Sequence, residues 1–169
     1  MSNLIYIAKP INVGSKGALK GRPKIFIADA AIRNAVLMDD SLLTDPVEMG
    51  KIVETAVYKH VAAFYYQKAT SVGYFRGGKK NKEIDVVVDY PNIPNILIEV
   101  KYREGAPIPD DDAIAELCAE ASAAIIVTKS SSDFGVHNTK SGKDMLRIPA
   151  FAFLYLLGHA EKNGYKGID

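Results

Sequence analysis

The chain has 169 residues, of which 48% are hydrophobic, a size that suits one compact domain and is too small for two ordinary ones. The net charge of +1 excludes a global positive field, so any binding to nucleic acid would depend on a local patch. A single cysteine, Cys118, excludes an internal disulfide framework and favours a reducing compartment, which we expect to be the cytoplasm. No apolar run approaches the roughly 18 residues of a membrane span, and the start lacks the pattern of a signal peptide, so we expect no association with membranes.

The N-terminal segment differs in composition from the rest of the chain. Residues 1–24 are rich in lysine, arginine, glycine and proline, which predicts a linker-like arm with one short strand at 4–7. We assign residues 25–169 to the folded domain. Of two alternatives, a stand-alone domain and a piece of a longer protein, the abrupt, linker-like start favours the second.

Hydrophobic periodicity predicts the elements of the domain in chain order. The longest helix covers residues 47–68, where apolar positions recur every 3.6 residues without an internal proline. The others are a strand at 24–28, a helix at 29–38 capped by Asp29, a strand at 72–76, a hairpin around 83–88 and 96–101, a helix from Asp110 to 121, a central strand at 124–128, a polar stretch at 129–143, an edge strand at 145–148 and a final helix. This order predicts an α/β domain with a mixed central β-sheet flanked by helices.

The hairpin is the most informative part of the chain. If its turn is symmetric about Asn92, Asp85 lies opposite Glu99, and Glu83 lies opposite Lys101. Side chains two apart on a strand share a face, so all four charges are expected together on one face.

The alternate positions of both strands are apolar and are expected to face the core. They are Ile84, Val86 and Val88 on the first strand and Ile96, Ile98 and Val100 on the second.

Two carboxylates directly opposite each other repel unless a cation lies between them. Asp85 and Glu99 offer the oxygen ligands that suit Mg²⁺ or Mn²⁺, and Lys101 could orient a water or neutralise charge on a phosphate. The alternative is a solvated strand face on which Glu83 and Lys101 form a weak salt bridge. The residues alone leave both interpretations open.

A basic cluster precedes the carboxylates. Arg76, Lys79, Lys80 and Lys82 are placed to contact phosphates beside a metal ion. The competing interpretation is an ordinary solvated turn.

The order of Asp85 followed by Glu99-Val100-Lys101 resembles the signature of the PD-(D/E)XK nuclease superfamily. The resemblance implies a restriction-endonuclease-like core in which Asp85 and Glu99 bind the metal together with the backbone carbonyl of Val100. It also implies that Lys101 is the catalytic lysine and that Glu54, on the long helix, is an auxiliary acid.

A longer match covers most of the chain. Its segments are Lys24–Asp29, Met49–His60, Tyr74–Arg76, Glu83–Val88, Leu97–Tyr102 and Arg147–Ala150, and together they resemble DUF4143, the C-terminal domain of a large group of prokaryotic AAA-type ATPases. The resemblance implies an ATPase module of the same polypeptide or complex as a partner. The chain itself has no P-loop and therefore no predicted ATP site.

These observations predict a metal-dependent DNA endonuclease that uses Mg²⁺ or Mn²⁺. The alternative is a non-catalytic module that binds nucleic acid or docks an ATPase. The sequence leaves the oligomeric state open, a homo-oligomer included.

Overall fold

The computed structural model describes residues 4–17, 21–37, 44–77, 82–105, 107–140 and 143–163. Within these ranges the chain forms eight strands and four helices. The strands are β1 (Ile5–Ala8), β2 (Lys24–Ile27), β3 (Ser71–Gly77), β4 (Lys82–Asp89), β5 (Ile96–Lys101), β6 (Ala123–Thr128), β7 (Gly135–Asn138) and β8 (Asp144–Pro149). The helices are α1 (Ala30–Leu37), α2 (Pro46–Phe64), α3 (Ala113–Leu117) and α4 (Ala150–Lys162), and a short 3-10 turn, Cys118–Glu120, extends α3.

The central sheet has six strands in the order β3-β4-β5-β6-β8-β7. β6 pairs parallel with both β5 and β8. The antiparallel pairs are β3 with β4, β4 with β5, and β7 with β8. One face packs against α2 and α4, and the other packs against α3. The prediction of an α/β domain with a mixed sheet between helices is therefore confirmed.

The predicted register of the hairpin between β4 and β5 is confirmed over its paired part. Val86 lies opposite Ile98, Val87 opposite Leu97, and Val88 opposite Ile96. The connection has Asn92 at its centre with φ of 63°, a left-handed conformation that asparagine tolerates better than most residues.

An extra residue interrupts β4 beside β3. Gly73 pairs with Val87 and Phe75 with Ile84, so the single residue between them on β3 lies opposite two residues on β4, Asp85 and Val86. Such a bulge changes which face the following side chains occupy.

The predicted division of the hairpin into one apolar face and one charged face is therefore wrong. Ile84 packs in the core beside α3, whereas Val86 and Val88 pack in the core beside α2. Both faces of the sheet are buried, and the bulge puts these three side chains on opposite sides.

Two predictions near the C-terminal end need correction. The segment predicted to be a polar stretch contains β7, and β8 is not an edge strand because it lies between β6 and β7. β7 is short and half polar, so its alternation was too weak to stand out from a loop.

The helix α2 begins with a capped turn. Asp45 accepts a hydrogen bond from the backbone N–H of Val47 at 2.8 Å, and Pro46 occupies the first turn, where its missing N–H costs nothing. The helix ends at Phe64, earlier than predicted, and Gln67 beyond it has φ of 67°. A buried stripe of Val57, Tyr58 and Val61 faces the sheet.

The described part of the N-terminal arm packs against the domain. β1 pairs antiparallel with β2, and Val13 is completely buried in the core beside α3. The backbone N–H of Ile11 donates to Tyr74 O at 2.8 Å, and that of Tyr74 donates to Lys9 O at 3.1 Å. The arm therefore covers the outer edge of β3, while the division of the chain at residue 24 stays a prediction.

None of the helices in the described ranges is both long enough and apolar enough to cross a lipid bilayer.

Candidate metal centre

Asp85 lies at the bulge, where the recorded pairing between β4 and β5 stops. Its Oδ2 accepts a hydrogen bond from the backbone N–H of Val100 at 2.8 Å. The Asp85 carboxylate thus accepts a hydrogen bond from the backbone of β5 just beyond Val86 and Ile98, the last pair of residues between the two strands. This hydrogen bond fixes the carboxylate between the two strands.

Glu99 lies on β5 and is nearly buried, with 10% of its side chain exposed. Its Oε1 forms an ion pair with Lys101 Nζ at 2.8 Å. Its Oε2 is buried and has no hydrogen-bond partner in the structure. A buried carboxylate oxygen without a partner is costly, so this atom is a candidate ligand for a cation.

Burial acts on both carboxylates, and the charge of Glu99 acts on Asp85. Burial raises the pKa of Asp85 well above its usual range, and the charges of Glu99 and Glu54 raise it further. Burial also raises the pKa of Glu99, although the neighbouring Lys101 opposes that shift. A cation between the two carboxylates would relieve the repulsion that the charge of Glu99 exerts on Asp85.

Lys101 is held between acids from two elements. Its ammonium lies 2.8 Å from Glu99 Oε1 and 3.3 Å from Asp112 Oδ2. Burial lowers the pKa of Lys101, but Glu99 and Asp112 outweigh that effect and the pKa is raised. Asp112 lies within the helix predicted from Asp110 to 121 and is the residue before α3 in the structure, and no local pattern indicated that it would reach Lys101.

A second cluster surrounds Lys24, which the sequence did not single out. The Lys24 ammonium lies 2.9 Å from Glu54 Oε1, forms an ion pair with Glu83, and lies 4.0 Å from Asp85 Oδ1. Burial lowers the pKa of Lys24, but these acids outweigh it and the pKa is raised. The predicted auxiliary acid Glu54 therefore faces the site from α2, on the side of Lys24.

Aromatic packing places β2 over the site. Phe26 stacks on Tyr58 of α2 with ring centres 4.3 Å apart and an interplanar angle of 13°. Because Lys24 is two residues before Phe26 on the same strand, its side chain lies on the same side of β2, toward α2.

The alternative salt bridge between Glu83 and Lys101 does not form. Glu83 instead pairs with Lys24 and with Arg76, whose Nη2 lies 2.6 Å away. The four charges of the hairpin thus belong to two clusters, one around Lys24 and one around Lys101, which meet at Asp85 and Glu99.

The described members of the predicted phosphate-contacting cluster are in ion pairs. Arg76 pairs with Glu83, and Lys82 pairs with Glu116 of α3 at 2.6 Å. Lys79 and Lys80 lie outside the described residues. The assignment of these four residues to nucleic-acid binding stays a prediction.

The donor set fits a hard divalent cation in part. Asp85 and Glu99 supply carboxylate oxygens, and Glu99 Oε2 has no other partner. No group of three or more histidine, cysteine, aspartate or glutamate residues in the described ranges is arranged to hold a metal ion. Mg²⁺ commonly takes one or two carboxylates and fills its remaining positions with water and phosphate oxygens, so the pair meets that requirement.

A cavity of about 290 Å³ begins at Tyr102, the residue after Lys101, and is lined by none of the charged residues described above. It lies where the parallel strands β5 and β6 end, between Tyr102, Arg103 and Lys129 on one side and the first turn of α2, with Met49, on the other. Crevices at the carboxyl ends of parallel strands are common ligand sites in α/β proteins.

The fold and the site together define an α/β domain with a mixed six-stranded sheet and a centre of largely buried carboxylates and lysines. Comparison with protein families matches residues 49–151 to the domain of unknown function DUF4143. The match covers more than half of the chain, and the protein belongs to this family, as the sequence predicted. Comparisons with curated proteins and with solved structures found no match.

Proposed function

We propose that the protein is a metal-dependent phosphodiesterase that cleaves DNA. The observation that supports this most directly is the buried pair of Asp85 and Glu99, with the unpartnered Glu99 Oε2 and the ammonium of Lys101 beside it. Buried carboxylates that repel each other weaken a fold, so their presence indicates a role in binding or chemistry.

In this proposal Asp85, Glu99 and the carbonyl of Val100 hold Mg²⁺ or Mn²⁺. The bound cation supplies charge neutralisation at the scissile phosphate. Lys101 stabilises negative charge on the phosphate oxygens, and Asp112 holds its ammonium on the side of α3. Glu54 tunes the centre from α2.

The order of these residues supports membership of the PD-(D/E)XK nuclease superfamily and a restriction-endonuclease-like core. Asp85 and the Glu99-Val100-Lys101 segment lie on adjacent antiparallel strands, and Glu54 lies on a helix packed against that sheet. We further infer that the domain works with an AAA-type ATPase module in the cytoplasm, where a reduced Cys118 is stable.

The surface beside the site contains groups suited to a polynucleotide. Arg103 and Lys129 line the cavity at the end of β5, and α2 directs its N-terminal end toward the same space. Glu104 also lines the cavity and lies 3.3 Å from the Lys129 ammonium. We propose that the DNA backbone follows Arg103 and Lys129, because arginine and lysine side chains commonly contact phosphate oxygens.

The test is cleavage of supercoiled plasmid and branched DNA with Mn²⁺ or Mg²⁺. Wild-type protein is compared with Glu99→Gln and Lys101→Met, which keep side-chain size, and with Lys140→Met, a control that removes an exposed lysine charge. We expect each site variant to lose at least about 100-fold in rate, because each removes a charge that acts on the transition state. Cleavage at the wild-type rate in both site variants would refute the proposal.

A non-catalytic module is the second candidate. The observation that favours it is that Lys101 is already neutralised by Glu99 and Asp112. It predicts DNA binding with a steep salt dependence, or docking to an ATPase, without cleavage by any of the proteins.

A further inference from the structure

Lys24 contacts three carboxylates that come from two different elements. Glu54 belongs to α2, while Glu83 and Asp85 belong to β4, and Lys24 itself comes from β2. The ammonium is 2.9 Å from Glu54, in direct contact with Glu83 and 4.0 Å from Asp85, and 23% of the lysine side chain is exposed. One partly buried cation thus faces three negative charges.

The position of this cation does not depend on the acids alone. Its Nζ lies 5.3 Å from the ring centre of Tyr74, close enough for a favourable cation–π contact. Tyr74 is 1% exposed, and its hydroxyl donates a hydrogen bond to Arg22 O at 2.8 Å. The same ring therefore holds both the lysine and the backbone that leads into β2.

Asp85 links this cation to the metal centre. Its Oδ1 is the atom near Lys24, while its Oδ2 is bound by the N–H of Val100, the residue after Glu99. A positive charge next to a ligand weakens the attraction of that ligand for a second positive charge.

We infer that Lys24 is a positioning residue that serves as the resident counter-ion of the centre. It holds Glu54, Glu83 and Asp85 together in the absence of a divalent cation, and it lowers the affinity of the centre for that cation. This inference rests on the proposed metal site at Asp85 and Glu99. It implies that metal loading is weak until a phosphate substrate contributes further oxygen ligands.

The test is titration of the metal-free protein with Mn²⁺ alone. Calorimetry measures the affinity for Mn²⁺, and thermal denaturation measures the stability of each protein. Lys24→Met and Lys24→Gln remove the charge, and the glutamine keeps a hydrogen-bond donor in case the methionine variant fails to fold. Lys24→Arg keeps the charge. Lys140→Met is the matched control, because it removes a lysine that pairs with Asp110 at 2.6 Å on an exposed surface.

We expect the neutral variants to melt at a lower temperature without metal and to bind Mn²⁺ on the order of tenfold more tightly than wild type. The arginine variant and the Lys140→Met control should bind as wild type does. A merely structural role for Lys24 predicts lower stability with unchanged or weaker Mn²⁺ binding, and that result would overturn the inference.

The remaining outcomes separate this inference from the proposed function. Mn²⁺ binding by the neutral variants but not by wild type would support the role of Lys24 and overturn the proposed metal site of the natural protein. No binding by any of the proteins at millimolar Mn²⁺ would overturn both.

Discussion

Replacing Asp85 with asparagine should stabilise the metal-free protein while removing its response to metal. Asparagine is nearly isosteric, and its Oδ1 can accept the hydrogen bond that Val100 N–H donates at 2.8 Å. The substitution removes a negative charge that faces Glu99 and Glu54 in a site where 17% of the Asp85 side chain is exposed.

The expected change in the free energy of unfolding is the difference between two opposing contributions. A buried carboxylate costs several kcal/mol in lost hydration, and the hydrogen bond from Val100 and the attraction of Lys24 at 4.0 Å recover part of that cost. We expect a net gain of about 1–2 kcal/mol for the variant, which corresponds to about 2–8 °C in Tm for a chain of this size.

The sign of the pH dependence is also defined. Because folding raises the pKa of Asp85, the carboxylate destabilises wild type where it is charged, and this penalty disappears as falling pH protonates it. The advantage of the variant should therefore be largest at neutral and alkaline pH and shrink on acidification.

Thermal denaturation of both proteins, with and without Mn²⁺, measures these effects. Wild type should gain Tm with Mn²⁺ and the variant should not. Asp89→Asn is the control, since it removes a carboxylate from the other end of β4 and should change stability by no more than about 0.5 kcal/mol. A variant that melts below wild type without metal would refute the argument that Asp85 is electrostatically strained.

Three further predictions concern the fold. Gly73→Ala should cost about 2–3 kcal/mol in urea denaturation, because the added methyl group would overlap Lys9 O of the arm, and an unchanged midpoint would contradict that contact. Val13→Ala should cost about 2 kcal/mol if the arm belongs to the core, and a loss below about 0.5 kcal/mol would show that the arm is dispensable. Asp133 accepts two hydrogen bonds from Arg147, which lower its pKa, so Asp133→Asn should cost about 1 kcal/mol at neutral pH. The difference should begin to shrink as the pH falls below about 4, where the unfolded carboxyl takes up its proton, and should vanish only below the lowered pKa of the folded protein. A difference that stays constant throughout acidification would argue against the ion pair.

Sequence patterns predicted the class of fold and the register of the hairpin because both depend on local alternation. Val86, Val87 and Val88 pair with the residues expected from a symmetric turn. The bulge at Asp85 could not be predicted in the same way, since it arises from the pairing of β4 with β3 rather than from β4 alone. One extra residue on β4 places Ile84 and Val86 on opposite faces of the sheet, where simple alternation predicts the same face.

The candidate site was predicted incompletely for a related reason. Asp85 lies on β4, and Glu99 and Lys101 lie on β5. Because these strands form one hairpin, the spacing of the residues in the sequence was enough to predict that they lie near one another. Lys24 and Asp112 reach the site through long-range packing, by the stacking of β2 on α2 and by the position of α3, and no spacing rule connects them to the hairpin.

The N-terminal arm has a practical consequence for how members of this family are compared and produced. Residues 49–151, the family match, contain Glu54, Asp85, Glu99 and Lys101 but not Lys24. A peptide excised at those boundaries would therefore carry the acids without their counter-ion and would leave the edge of β3 open to pairing with other chains. The same peptide would lack the start of α2 and most of α4, so its aggregation or inactivity would reflect these missing parts together with the missing arm and would give no information about the chemistry of the intact protein.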